Sequence, residues 1–78
     1  MYLSDLNAQQ RAIVTKVQAS LILSNRLETL GFIPQAEVRV ITKGIFGGDP
    51  ILVQIGFTRF ALRKSEAKCI GTVANSRW

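Results

Sequence analysis

The sequence predicts a mostly β fold, a small barrel of about five short strands with one short helix after the first strand and a single helical turn before the last. Three observations predict it. Segments rich in β-branched residues recur along the chain, turns containing glycine or proline separate them, and only residues 20–30 carry leucines at helical spacing. Because 78 residues can bury only a small core, we expect one domain over residues 1–78.

Alternation of apolar side chains defines the strands. In residues 11–17 both faces are partly apolar, which favours a first strand covered on two sides. Phe60 and Leu62 share a face and are expected to point inward. The predicted strands are residues 11–17, 36–43, 51–56, 60–63 and 70–74.

The helix after the first strand has a clearly marked end. Leu23, Leu27 and Leu30 are spaced i, i+4 and i+7, which places them on one helical face. Gly31 can adopt the left-handed conformation that ends many helices, and Phe32 can then pack on Leu27. These residues predict a helix that stops at Leu30.

The start of the helix is less clearly marked, because Ser20 and Ser24 are both possible N-caps. If the helix includes Leu21 and Ile22, these side chains lie off the leucine stripe and face solvent or a partner. If they precede the helix, they can tuck into the core, and the ambiguous cap slightly favours this second interpretation.

Two turns are predicted between the later strands. Residues 44–50 form a long hairpin loop, in which the apolar pair Ile45-Phe46 either folds back on the barrel or is offered to a partner. Its Gly-x-x-Gly spacing matches a KH clamp, but strands rather than helices flank it. The second turn covers residues 56–59, and Ser65 is then expected to cap a helical turn that extends through Cys69.

The composition argues against an enzyme, a cofactor and a metal site. The chain has no His and only Cys69, so an intrachain disulfide and a Cys/His zinc site are excluded. Its carboxylates are scattered, with no pairing typical of an acid/base dyad or a hard-ion site. The N-terminus does not resemble a signal peptide and no segment is long enough to span a bilayer, so we expect a cytoplasmic protein.

The positive charge is uneven. Residues 43–78 hold six basic and two acidic side chains, which is +4 of the net charge of +5. This patch could bind nucleic acid with Phe57 stacking on a base, could dock on an acidic partner or on lipid headgroups, or could simply be a solvated face. Its candidate members are Lys43, Arg59, Arg63, Lys64 and Lys68.

The order of elements resembles the bacterial ferrous iron transport protein A (FeoA) family, whose members are SH3-like barrels. The residues that carry this resemblance are Asp5-Leu6, Ala12-Ile13, Arg26-Leu27-x-x-Leu30-Gly31-x-x-Pro34, Glu37-Val38-x-Val40, Gly48-Asp49-Pro50-Ile51 and Ala61-Leu62-Arg63-Lys64-x-Glu66-Ala67-x-x-Ile70. The chain departs from the family at Ala8-Gln9, where Pro-Gly is usual, and at Gln35, where Gly is usual. Because Gln adopts positive φ poorly, we expect a type I turn at Pro34-Gln35 instead of type II.

The resemblance implies an accessory or regulatory role, without catalysis, on the cytosolic face of the membrane permease that imports Fe²⁺ and carries a GTPase domain. The family is linked to transition metal ions, but iron need not bind this chain. A homo-oligomer is possible through barrel edges, and a nucleic-acid-binding module is the alternative function. The hypothetical partner contacts are Leu21, Ile22, Ile45, Phe46, Phe57 and Arg59.

Overall fold

The computed structural model describes residues 1–74, and within them the side chains of all residues except Ile45 and Phe46. The predicted strands, helix and helical turn are all present. A 3-10 turn at Leu3–Asp5 precedes β1 (Arg11–Val17), α1 (Leu21–Leu30), β2 (Glu37–Phe46), β3 (Asp49–Ile55), β4 (Thr58–Leu62), α2 (Lys64–Ala67) and β5 (Ile70–Val73).

The five strands form one antiparallel sheet in the order β4-β3-β2-β1-β5. The register places Ala12 of β1 opposite Val38 of β2, and shifts in register interrupt β1–β5 and β2–β3. Tyr2 forms an isolated antiparallel bridge with Gly71, so the first residues lie beside β5. The predicted mostly β fold of five strands is therefore confirmed.

The core lies on the inner face of the sheet. Side chains alternate along the central strands, so that Val38, Val40 and Val53 are buried while their neighbours in sequence are more exposed. The ring centroid of Phe32 lies 6.2 Å from that of Phe60, which joins the end of the helix to β4. The remaining buried apolar residues are Leu3, Leu6, Ala12, Val14, Leu27, Ile51, Leu62, Ala67 and Ile70.

The end of α1 is a Schellman motif, as the sequence predicts. Gly31 has φ of 110°, and its N–H donates to Glu28 O at 3.0 Å. The N–H of Phe32 donates to Leu27 O at 3.0 Å, which closes the longer ring of the motif. Leu27 and Phe32 are both buried, so this contact turns the chain back onto the sheet.

The start of α1 differs from the favoured interpretation. Ser20 is the N-cap, and its Oγ accepts a hydrogen bond from Leu23 N at 3.3 Å. The helix therefore begins at Leu21, and Leu21 and Ile22 stand on its first turn with 76% and 84% of their surfaces exposed. The interpretation in which they tuck into the core is wrong, because the serine cap starts the helix before the leucine stripe begins.

The predicted long hairpin loop is also wrong. β2 continues to Phe46 and β3 resumes at Asp49, so only Gly47 and Gly48 form the turn. Both have positive φ, 66° and 84°, which suits a two-residue hairpin. Gly44 belongs to β2, where a side chain would overlap the backbone carbonyl of Asp49. The glycines therefore allow a tight turn and a close strand approach instead of a loop.

The two positions where the chain departs from the family keep a glycine-like backbone. Gln9 has φ of 69° and Gln35 has φ of 75°. The N–H of Ala36 donates to Ile33 O at 3.0 Å, and the positive φ at the third residue of this turn is typical of type II. The predicted type I turn is wrong, because bonds between Gln35 N and Val14 O and between Val14 N and Ala36 O hold the turn against β1.

Candidate interaction surface

Three of the predicted contact residues have apolar side chains on the surface. Phe57, on the turn between β3 and β4, is fully exposed. Leu21 and Ile22 project from the first turn of α1. Exposed aromatic and aliphatic groups of this size are candidates for contact with another protein.

The predicted contact residues lie in three separate places. The Phe57 turn and the strand end that precedes the Gly47-Gly48 turn are at opposite ends of β3, whose seven residues span about 20 Å. A Cβ at Gly31 would lie 2.9 Å from Cγ2 of Ile55, so the C-terminal end of α1 lies near the Phe57 turn. Leu21 and Ile22 lie at the other end of this ten-residue helix, about 15 Å away. Phe57 and Arg59 therefore lie near each other, whereas the other predicted contact residues lie elsewhere on the molecule.

Several cations of the predicted basic patch bind their own chain. Lys43 Nζ donates to Ser4 O at 3.1 Å, and Lys64 Nζ donates to Gly47 O at 3.2 Å. Arg59 is exposed, and its Nε donates to Gln54 Oε1 at 3.2 Å. These lysines brace the N-terminal turn and the hairpin, so they are less available to a partner than the sequence suggests.

Glu66 connects the two helices. Its Oε1 accepts a hydrogen bond from Arg63 N at 2.9 Å, and its Oε2 forms an ion pair with Arg26 of α1. α2 therefore begins at Lys64 after Arg63, and the prediction that Ser65 caps it is wrong, because the glutamate three residues into the turn satisfies the free N–H instead. Arg26 and Glu66 therefore join two of the sequence segments that carry the family resemblance.

The other chemically active groups are dispersed. Cys69 is partly buried, and its Sγ lies 3.5 Å from Ser65 O. Within residues 1–74 no three His, Cys, Asp or Glu side chains lie close enough together to hold a metal ion. No helix in this part of the chain is long and apolar enough to cross a membrane.

A row of polar side chains across the sheet was not foreseen from the sequence. Arg11, Arg39, Gln54 and Arg59 are direct neighbours on β1, β2, β3 and β4, and so share the outer face. Two of these arginines come from the half of the sequence with little net charge. The sequence indicates that each of these side chains faces outward on its own strand, but only the strand register shows that the four are aligned.

Comparisons with known proteins agree with the fold. A family model described as the FeoA domain matches residues 1–72. A search of curated proteins matched none of them.

Several solved structures are similar to this chain. FeoA of Stenotrophomonas maltophilia, solved in complex with zinc, is described as a prokaryotic SH3 domain protein and a proposed ferrous iron transport activating factor. It is 49% identical, with a TM-score of 0.84 over 94% of this chain and 89% of that one. FeoA of Chlorobium tepidum is 36% identical, with a TM-score of 0.85 over 92% of this chain and 68% of that one.

A manganese-dependent transcriptional repressor shares only the fold. It is 18% identical and has a TM-score of 0.86, with 96% of this chain matching 41% of the repressor. The match of the domain model over nearly the whole length, together with close relatives of the same fold, confirms the resemblance read from the sequence. The chain belongs to the FeoA family, small SH3-like proteins linked to ferrous iron transport.

Proposed function

We propose that this chain is a non-enzymatic accessory protein of ferrous iron uptake, which acts at the cytosolic face of the membrane by contact with the GTPase domain of the Fe²⁺ permease. Family membership supports the link to ferrous iron transport. The observation that carries protein contact as the mode of action is the exposure of Phe57 on a turn, where it contributes nothing to the core.

Two surfaces are the proposed contacts. The first is the Phe57 turn with Arg59 beside it, where an aromatic ring and a cation can enter a partner pocket together. The second is the start of α1, where Leu21 and Ile22 present consecutive aliphatic groups. Ile45 and Phe46 at the end of β2 remain a prediction, since their side chains lie outside the described part of the structure.

A titration of the purified chain with the isolated cytosolic GTPase domain tests the proposal. Because burial of a Phe or Leu side chain contributes about 1.5–3 kcal/mol, Phe57→Ser and the double variant L21S/I22S should each weaken binding roughly tenfold or more. F46A and R59A test the remaining positions. Val73→Thr is the matched control, because Val73 is an exposed apolar residue on β5 outside the proposed contacts.

The outcomes test the identity of the partner and the assignment of the contact residues separately. Binding by the wild type that survives every contact substitution refutes the residue assignment. Absence of binding by the wild type contradicts the partner.

A nucleic-acid-binding module is the second candidate, favoured by the fully exposed Phe57 two residues from exposed Arg59. The lysines that bind Ser4 O and Gly47 O reduce the cations available to phosphates. This function predicts a mobility shift with a single-stranded oligonucleotide that disappears steeply as salt is raised. Loss of that shift in Phe57→Ser, with intact binding to the GTPase domain, would favour it.

A further inference from the structure

The first turn of α1 carries an apolar tip, formed by the side chains of Leu21 and Ile22. These residues are consecutive, and 76% and 84% of their surfaces are exposed. Neither belongs to the core, whereas Leu27 of the same helix is fully buried. Two adjacent aliphatic side chains of this exposure are typical of a surface that another molecule covers.

Hydrogen bonding places two lysines near the apolar tip. The N–H of Gln18 donates to Cys69 O at 2.8 Å, so the chain after β1 lies against the residues that follow α2. Leu21 is three residues from Gln18, and its Cα therefore lies within about 11 Å of that of Gln18. Lys68 directly precedes Cys69, and Lys16 precedes Gln18 by two residues. Both lysines are exposed, and neither forms an ion pair with another residue among 1–74.

Two arginines add to the positive charge beside the helix. Arg26 is four residues after Ile22, which places both on one face of α1, and its side chain is 57% exposed. Arg63 is exposed and precedes α2. Glu66 connects them, because it forms an ion pair with Arg26 and accepts a hydrogen bond from Arg63 N. Together with this carboxylate, the four basic residues carry a net charge of +3. They are Lys16, Arg26, Arg63 and Lys68.

The other acidic residues lie elsewhere or bind backbone N–H groups. Glu28 is six residues after Ile22, about 9 Å further along α1. Asp5 and Asp49 accept hydrogen bonds from backbone N–H groups, and Glu37 is on β2, which does not pair with β5. The first turn of α1 contains no acidic residue. An anionic surface that approaches the apolar tip therefore meets net positive charge.

We infer that the apolar tip docks on an anionic lipid bilayer. Leu21 and Ile22 insert at the boundary of the acyl chains, and the basic residues lie at the headgroup phosphates. Binding of this kind increases with the apolar area that is inserted and with the attraction of cations to anionic lipids. The stems of Lys16 and Lys68 can lie along the apolar boundary while their ammonium groups reach the phosphates.

A bilayer fits this surface better than a protein pocket does. Protein contacts depend mainly on aromatic and arginine anchors in shaped pockets, and leucine is under-represented among those anchors. A bilayer requires only protruding apolar groups with cations around them. The claim that the chain works beside a membrane rests on the proposed function, and the apolar tip holds the chain on the bilayer while the GTPase domain is absent.

Co-sedimentation of the purified chain with lipid vesicles tests the docking. Vesicles of equal parts phosphatidylglycerol and phosphatidylcholine should bind the chain, and vesicles of phosphatidylcholine alone should not. Binding should weaken as salt is raised, because salt screens exposed charges. The GTPase domain is absent from this assay, so the lipid contact and the permease contact can each fail while the other holds.

Variants separate insertion from charge. The double variant L21S/I22S should weaken binding to the anionic vesicles about tenfold or more, because it removes the inserted groups and keeps every charge. Val73→Thr is its matched control, since Val73 is an exposed apolar residue on β5. Lys68→Gln should weaken binding about fivefold. Arg59→Gln removes the same charge from β4, near the other end of α1, and should weaken binding less.

A spin label in the lipid locates the inserted residues. In anionic bicelles that contain a doxyl-labelled phosphatidylcholine, the backbone amide signals of Leu21 and Ile22 should lose the most intensity. The signals of Phe57 and Val73 should keep theirs.

Any of four results would overturn the inference. They are absence of binding to the anionic vesicles, equal binding to vesicles without phosphatidylglycerol, full binding by folded L21S/I22S, and the largest loss of signal at Phe57 instead of at the apolar tip. The last result would assign the lipid contact to the Phe57 turn.

Discussion

Replacing Gln35 with glycine should stabilise this protein, although the substitution removes a whole side chain. Gln35 has φ of 75°, a conformation that costs a residue with a Cβ roughly 1–2 kcal/mol. Within residues 1–74 its side chain makes no hydrogen bond that would offset this cost. Glycine adopts the same φ freely, at the expense of about 0.4–1 kcal/mol of additional entropy in the unfolded chain.

The difference predicts a net gain of about 0.5–1 kcal/mol for Gln35→Gly. For a domain of this size, a change of 1 kcal/mol shifts Tm by about 4–8 °C, so Tm should rise by about 2–8 °C. Thermal and urea unfolding followed by circular dichroism measure both quantities. Gln35→Ala is the control, because it removes the same side chain but keeps the Cβ, and it should not stabilise.

Gln9 is a matched site with the opposite expectation. Its φ of 69° is similar, but its side chain donates to Ile41 O and accepts from Arg39. Each bond contributes about 0.5–1.5 kcal/mol, so Gln9→Gly should be neutral or destabilising by up to about 2 kcal/mol. The reasoning is refuted if Gln35→Gly gives no stabilisation, or if Gln9→Gly stabilises as much as Gln35→Gly does.

Three further predictions use the same unfolding measurements. Gly44→Ala should destabilise by about 1–3 kcal/mol, because its Cβ would overlap the Asp49 carbonyl. At Gly47 an added Cβ meets no atom within 4 Å, so Gly47→Ala should cost only its φ strain. Equal losses of stability in the two variants would contradict this prediction. Glu66→Ala should lower the free energy of unfolding more than Arg26→Ala does, since Arg26 is 57% exposed while Glu66 also caps α2. A double-mutant cycle without coupling would show that the ion pair contributes nothing to stability. Phe32→Ala should cost about 3–5 kcal/mol, and a loss below 1 kcal/mol would place the ring outside the core.

Local signals predicted the helix end and the strands, because the chemistry that determines them lies within a few residues. Residues 27–32 contain the whole Schellman motif, so the sequence alone was sufficient to predict it. The Gly47-Gly48 turn was missed because glycine permits both a long loop and a tight turn, and the choice depends on how closely β2 approaches β3.

The turn at Gln35 was missed for a related reason. Propensity favours negative φ at a glutamine, but hydrogen bonds to Val14 on β1, 21 positions earlier in the chain, impose the positive value. Tertiary bonds therefore override local preference. The basic row could not be predicted either, since the alignment of Arg11 with Arg39 is a property of strand register.

The family signature and the candidate contacts occupy different parts of the molecule, and this separation has a functional meaning. Arg26 and Glu66, which come from two of the signature segments, form an ion pair that ties α1 to α2, while Gly31 ends the helix. Such residues explain why the chain folds as a FeoA domain. Phe57 and Ile22 contribute little to that architecture and present apolar groups on the surface. Partner choice can therefore differ between members of one fold through such positions, without any change to the signature.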